Sequence, residues 1–116
     1  MLRAGADPEN LGPADFLCNF CRKPWTDDRP MIEGHQGNLI CGGCVTLAYT
    51  EVVVHKAGVI DAGVGEGPNC VMCLERRQDP RWVSPVYEDQ AVCARCVSQA
   101  AGALVKDKDS RWAKPG

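Results

Sequence analysis

The residues that could do chemistry in this chain are its eight cysteines: Cys18, Cys21, Cys41, Cys44, Cys70, Cys73, Cys93 and Cys96. Adding 52 to each of the first four positions yields the last four, so each half reads C-x2-C-x19-C-x2-C, with 25 residues between Cys44 and Cys70. A C-x2-C turn places two sulfurs on one side of a tight loop, and two such turns supply four. Four thiolates at ~2.3 Å fill a tetrahedral shell around zinc and leave no position for a reactive water, which is structural rather than catalytic chemistry. Such a site supplies roughly 10–16 kcal/mol of apparent binding energy, enough to order a small unit. The expected cofactor is therefore two Zn2+ ions, one per repeat. A sequential arrangement makes Cys18, Cys21, Cys41 and Cys44 one site and Cys70, Cys73, Cys93 and Cys96 the other. A cross-braced arrangement would join the first pair to the third. The repeat favours the sequential one, because each half is then a complete unit.

Other uses of the thiols stay open at this point. Iron can occupy four-thiolate sites. Disulfides need an oxidising compartment, whereas residues 1–11 carry no apolar stretch of the kind that marks a secretory signal. The expectation is a reducing, cytoplasmic setting. A thioredoxin-type redox motif requires a βαβ context that this sequence does not show. His35 and His55 have no counterpart at offset 52; they read as an exposed turn residue and a helix-end residue, not as ligands.

The elements that must position the sulfurs also repeat. After each fourth cysteine, apolar residues follow the i, i+3, i+4, i+7, i+8 stripe of an amphipathic helix: Val45, Ala48, Tyr49, Val52 and Val53, then Val97, Ala100, Ala101, Leu104 and Val105. Gly58 reads as the stop of the first helix. Strand-like stretches precede each second C-x2-C: 30–33 with 39–41 across a Gly34–Asn38 turn, and 81–83 with 86–87 and 91–93, where Pro85 demotes its stretch to an edge or bent strand. The predicted fold is small, α+β and metal-stabilised: two tandem treble-clef-like fingers, each running knuckle, hairpin, knuckle, helix. The chain divides into a disordered start (1–13), repeat one (14–57), a Gly-rich linker (58–67), repeat two (68–109) and a flexible tail (110–116).

Composition agrees with metal-centred units. Leu, Ile, Val and Phe number only 24 of 116 residues, close to the roughly 20% level at which burial alone stops supporting a fold. Small scaffolds of this kind rely on metals or disulfides. No apolar run approaches the ~18 residues of a membrane span, so no membrane partner is expected. The formal net charge is −2. Residues 14–57 hold four Lys/Arg against five Asp/Glu, and residues 66–109 hold six against seven. Each four-thiolate zinc centre adds about −2, bringing the loaded chain to about −6. Nucleic-acid binding gains from clustered cations, and the best cluster, Arg76-Arg77 with Arg81, is offset by Glu75 and Asp79.

At these residues the chain resembles a known family. Cys18-Asn19-Phe20-Cys21-Arg22-Lys23, then Met31-Ile32-Glu33-Gly34, then Leu39-Ile40-Cys41-Gly42-Gly43-Cys44-Val45, is similar to the N-terminal zinc-binding domain of the ClpX unfoldase subunit. Repeat two keeps Cys70-Val71-Met72-Cys73 and Val92-Cys93-Ala94-Arg95-Cys96-Val97. The spacer between pairs is one residue longer than that family's, and its glycine after the second cysteine is replaced by Arg22 and Leu74. No GxxxxGK[ST] phosphate loop occurs in these 116 residues, so the chain is not expected to unfold substrates with ATP. The resemblance implies zinc at the eight cysteines, binding of protein partners such as a Clp-system component or its substrates, and dimerisation. With two copies on one chain, dimerisation becomes an intramolecular pseudo-dimer or, alternatively, a homodimer. The linker spans roughly 20 Å as a flexible coil, ample for the former.

The function expected is thus a non-catalytic zinc-binding interaction module, an adaptor or peptide-recognition protein. The alternatives are a nucleic-acid-binding zinc ribbon and, more weakly, a zinc-release redox sensor. Large apolar side chains that a small module can leave for a partner are Phe20, Trp25, Met31, Leu39, Met72, Trp82 and Tyr87; the competing reading is that they cover the zinc sites or the seam between repeats. No paired acid and base and no nucleophile with a base stand out, so no enzyme activity is expected.

Overall fold

A computed structural model describes residues 1–26, 28–58, 69–74, 80–107 and 109–115. The expected linker lies outside the described residues apart from Gly58, as do Glu75, Arg76, Arg77 and Asp79. Two antiparallel hairpins, each followed by a helix, make up the regular structure: β1 (Met31–Glu33), β2 (Leu39–Cys41) and α1 (Gly42–Tyr49), then β3 (Arg81–Val83), β4 (Ala91–Cys93) and α2 (Ala94–Lys106).

The second strands and helices sit 52 residues apart, but the first strands sit 50 apart. Repeat two has a shorter approach to its first strand and a hairpin loop longer by the same two residues. Trp82 therefore takes the place of Ile32: it pairs with Val92 as Ile32 pairs with Ile40. The 86–87 stretch is not a strand. Pro85 offers no N–H to a ladder, and the Ser84 hydroxyl instead accepts the N–H groups of Val86 (3.2 Å) and Tyr87 (3.1 Å), closing a turn.

The helical stripes face inward. Val45, Ala48 and Val52 are buried, as are Val97, Ala100, Ala101 and Leu104, while Val105 is 50% exposed. α1 runs on as a wider π-type turn, Thr50–Val54. The cause is local: the Thr46 and Thr50 hydroxyls bond back to the carbonyls of Gly42 (3.0 Å) and Thr46 (2.8 Å), a pattern that bends helices. The helix stops before Gly58, with Lys56 in the left-handed region at φ 53°. Gly58 is needed for a different reason. At φ +101° a Cβ there would lie 2.6 Å from the Arg81 carbonyl oxygen.

The two halves share one apolar cluster. α1 packs on α2, β1 touches α2, and β3 touches the Thr50–Val54 turn. Phe20 of the first knuckle meets Trp82 of the second hairpin, ring centroids 5.6 Å apart.

Residues near both chain ends make polar contacts in this structure. The N-terminal ammonium donates to the carbonyl of Leu17 (2.9 Å), and Arg3 Nε donates to Asp15 at 3.0 Å. At the other end the Trp112 indole N–H is shared between the Gly42 carbonyl (3.0 Å) and the Thr46 hydroxyl (2.9 Å), with the ring edge-on to Tyr49. One short polar segment can be ordered by a single well-partnered side chain, which composition does not reveal.

Candidate metal centres

Each sulfur is placed by an element the repeat supplies twice. The first C-x2-C of each half closes a tight turn, with Arg22 N–H on the Cys18 carbonyl (2.9 Å) and Leu74 N–H on the Cys70 carbonyl (2.8 Å). Arg22 and Leu74 leave that turn at φ 62° and 63°. A left-handed residue there explains why glycine suits the position. Arg22 is partly compensated, since its guanidinium stacks 4.2 Å over the Tyr87 ring and Nε donates to the Asn19 carbonyl at 3.2 Å.

The second C-x2-C ends a strand and opens a helix. Cys41 and Cys93 are the N-cap residues of α1 and α2, and Cys44 and Cys96 sit in the first turns. Helix N-termini favour anionic groups and lower thiol pKa values. In each half all four Sγ atoms lie within 4.8 Å of one another, in the sequential sets Cys18, Cys21, Cys41, Cys44 and Cys70, Cys73, Cys93, Cys96. Individual separations are 3.7 Å (Cys18–Cys44), 3.6 Å (Cys21–Cys41) and 3.9 Å (Cys73–Cys93). A tetrahedron with ~2.3 Å arms has edges of about 3.8 Å, so the donor sets fit zinc.

Backbone N–H groups add to this. Those of Phe20 (3.4 Å) and Cys41 (3.3 Å) point at Cys18 Sγ. Hydrogen bonding with Cys41 and Cys44 holds the Cys18 thiol down to about 2, and the same contacts with Cys18 push Cys41 up to about 12 and raise Cys44 as well. The second set repeats the pattern: Cys70 is lowered by Cys93 and Cys96, Cys93 is pushed up to about 12 and Cys96 is raised. Four sulfurs this close cannot all carry charge without a cation among them. A dication supplies what the cluster lacks. His35 and His55 are exposed and outside both sets.

The centres are tied together by contacts the sequence did not signal. Knuckle one reaches hairpin two: the Phe20 carbonyl accepts the buried Ser84 hydroxyl at 2.6 Å, and Asn19 donates to Gln90 at 3.2 Å. Knuckle two reaches hairpin one: the Met72 carbonyl accepts the His35 N–H at 2.9 Å, and the Val71 carbonyl accepts Asn38 at 2.7 Å. Phe20 and Met72 are counterparts at offset 52, so each knuckle is capped by the other half's loop.

Of the side chains considered for a partner, the structure buries Phe20, Leu39, Met72 and Trp82, leaves Met31 and Tyr87 half-buried, and exposes 40% of Trp25. Phe20, Met72 and Trp82 lie on the seam, as the competing reading has it. Among the described residues, no helix is long and apolar enough to cross a membrane.

Compared with known families, residues 17–53 match the ClpX C4-type zinc finger. The match covers the first four-cysteine set and the helix that follows it; the second set, at 70–96, lies outside it. No curated protein and no solved structure matches the chain.

Proposed function

We propose that this chain is a zinc-organised protein-interaction module, an adaptor or peptide-recognition unit without catalysis of its own, in which two treble-clef-like fingers form an intramolecular pseudo-dimer. The observation that carries the reading is the ClpX-type match over residues 17–53, placed on a four-sulfur set whose mutual distances suit a closed zinc shell. A closed shell leaves the metal nothing to activate, so its contribution is shape. The reciprocal capping of each knuckle by the opposite hairpin supports the pseudo-dimer: the Phe20 and Met72 carbonyls each accept a hydrogen bond from the other half. The acidic balance of the loaded chain favours protein over nucleic-acid partners.

The test is capture by zinc-loaded full-length chain from cells that contain it, with a Cys21→Ser, Cys73→Ser double variant as control. Recovery of a Clp ATPase subunit or its protease substrates by the loaded chain alone is expected. Salt-sensitive recovery of DNA or RNA instead would overturn the reading. Sedimentation and small-angle scattering check the pseudo-dimer, which requires a monomer with one particle envelope rather than two independent lobes.

A further inference from the structure

The two centres repeat in sequence but differ in cover. Over knuckle one, hairpin two brings bulk: Trp82 meets Phe20, and the Arg22 guanidinium stacks on Tyr87 of the longer loop. Over knuckle two, hairpin one brings Gly34-His35-Gln36-Gly37-Asn38, a loop without Phe, Tyr or Trp. Gly34 comes so near that a Cβ there would lie 2.7 Å from the Met72 carbonyl oxygen, so no larger residue can extend this cover. The sulfurs record the difference. Cys44 is 4% exposed, whereas its counterpart Cys96 is half-buried, as is Cys73. Site one presents Cys21 alone toward solvent, and site two presents a pair. That pair lines one cavity of about 440 Å3 between β1 and the start of α2, with Glu33, Met72, Arg95 and Gln99 also on its walls. A second cavity of similar volume, along α1, has no cysteine on its walls.

Access decides which cysteine an electrophile reaches. Exchange with a disulfide needs one thiolate to attack and a second nearby to resolve the mixed disulfide. Cys73 and Cys96 are such a pair, their sulfurs within 4.8 Å of each other. Cavities of roughly 300–1,000 Å3 hold small molecules, and this one carries a carboxylate and a guanidinium, Glu33 and Arg95, that suit the amino and carboxylate groups of an amino-acid-type disulfide. We propose that Cys73 and Cys96 are a modification site for low-molecular-weight disulfides of this type, through which the second centre, and not the first, releases its zinc. The Cys73 thiolate attacks one sulfur of the reagent and expels the other as a thiolate. The Cys96 thiolate then attacks the Cys73 sulfur, closes the Cys73–Cys96 bond and expels the second thiolate. The protein loses two electrons and the reagent gains them. Zinc leaves as Zn2+, two of its four ligands gone, and Cys70 and Cys93 take up protons from water. The effect reaches the seam, because knuckle two holds hairpin one through the Met72 carbonyl on His35 N–H and the Val71 carbonyl on Asn38. This rests on the two-zinc reading and gives the two ions unequal fates.

The experiment exposes zinc-loaded full-length chain, its ions first counted by native mass spectrometry, to millimolar glutathione disulfide without oxygen. A zinc indicator follows release, and peptide mapping after thiol blocking locates the new bond. One ion should leave several-fold faster than the other, with the loss of two hydrogens from the chain and Cys73 joined to Cys96. Backbone amide signals of His35 and Asn38 should shift with that first release, and dithiothreitol with zinc should restore them. Gln99→Trp, at an exposed position on the cavity wall, should slow the first release several-fold without moving the urea midpoint. Leu47→Trp, equally exposed but on the other cavity, should leave the rate unchanged. Release of both ions at one rate, first release from the Cys18–Cys44 set, or a rate indifferent to Gln99→Trp would overturn the proposal while leaving two zinc centres in place. Retention of both ions in glutathione disulfide would overturn it too. A chain with no zinc at the first count would overturn the two-zinc reading, and the proposal with it.

Discussion

Replacing Trp82 with alanine should destabilise the whole molecule, not only the half that contains it. The side chain is buried, sits 5.6 Å from Phe20 of the first knuckle, and belongs to the apolar cluster common to both halves. Truncating a buried Trp costs about 3–5 kcal/mol in transfer and cavity terms. Small domains hold about 5–15 kcal/mol in total, so a fifth or more of the stability is at stake. With a urea slope of roughly 1–3 kcal/mol/M, the midpoint should fall by about 2 M. Unfolding followed at fixed free metal by far-ultraviolet circular dichroism, and in cobalt-loaded chain by thiolate-to-metal absorption, should give transitions that coincide between the two probes within each protein. Trp25→Ala is the control: exposed, with one edge-on contact to Phe16, it should cost about 1 kcal/mol or less. A split transition in Trp82→Ala, with half the helical signal still melting at the wild-type midpoint, would refute the shared core.

Two further outcomes follow from the knuckles. Leu74→Gly should stabilise the chain by about 0.5–1 kcal/mol, because it relieves a left-handed residue at φ 63° that is 42% exposed and so loses little burial; Arg22→Gly should show no such gain, since it forfeits the Tyr87 stack, and equal gains in urea midpoint would contradict this. Zinc affinity should fall with acidification: Cys41 and Cys44, and likewise Cys93 and Cys96, are raised in the metal-free sets, hold their protons at neutral pH and must release them to zinc. At least two protons per site imply about a 100-fold loss of affinity per pH unit, measurable by chelator competition from pH 6 to 8, and a flat profile would contradict the assignment.

What the sequence made legible was whatever repeats with it. Cys41 and Cys93 each had to end a strand and open a helix, because a C-x2-C pair followed by an i, i+3, i+4 stripe leaves few other arrangements. That offset does not carry to the first strands, which sit 50 residues apart, and so concealed that Trp82 and Ile32 are counterparts. The polar part of the seam was not legible. It is built from Asn19, Asn38, Ser84 and Gln90, polar groups in loops with no period to betray them. The contacts of the tail were not legible for a related reason: composition describes a segment's average, whereas Trp112 makes its contacts through one indole and two acceptors.

The central claim is that two four-thiolate zinc centres organise this chain. Native mass spectrometry of protein isolated without added metal tests it most directly. The account predicts one 12.6 kDa chain carrying two zinc ions, with one ion lost in Cys21→Ser, one in Cys73→Ser and both in the double variant. A metal-free chain eight hydrogens lighter, its cysteines paired as disulfides, would contradict it.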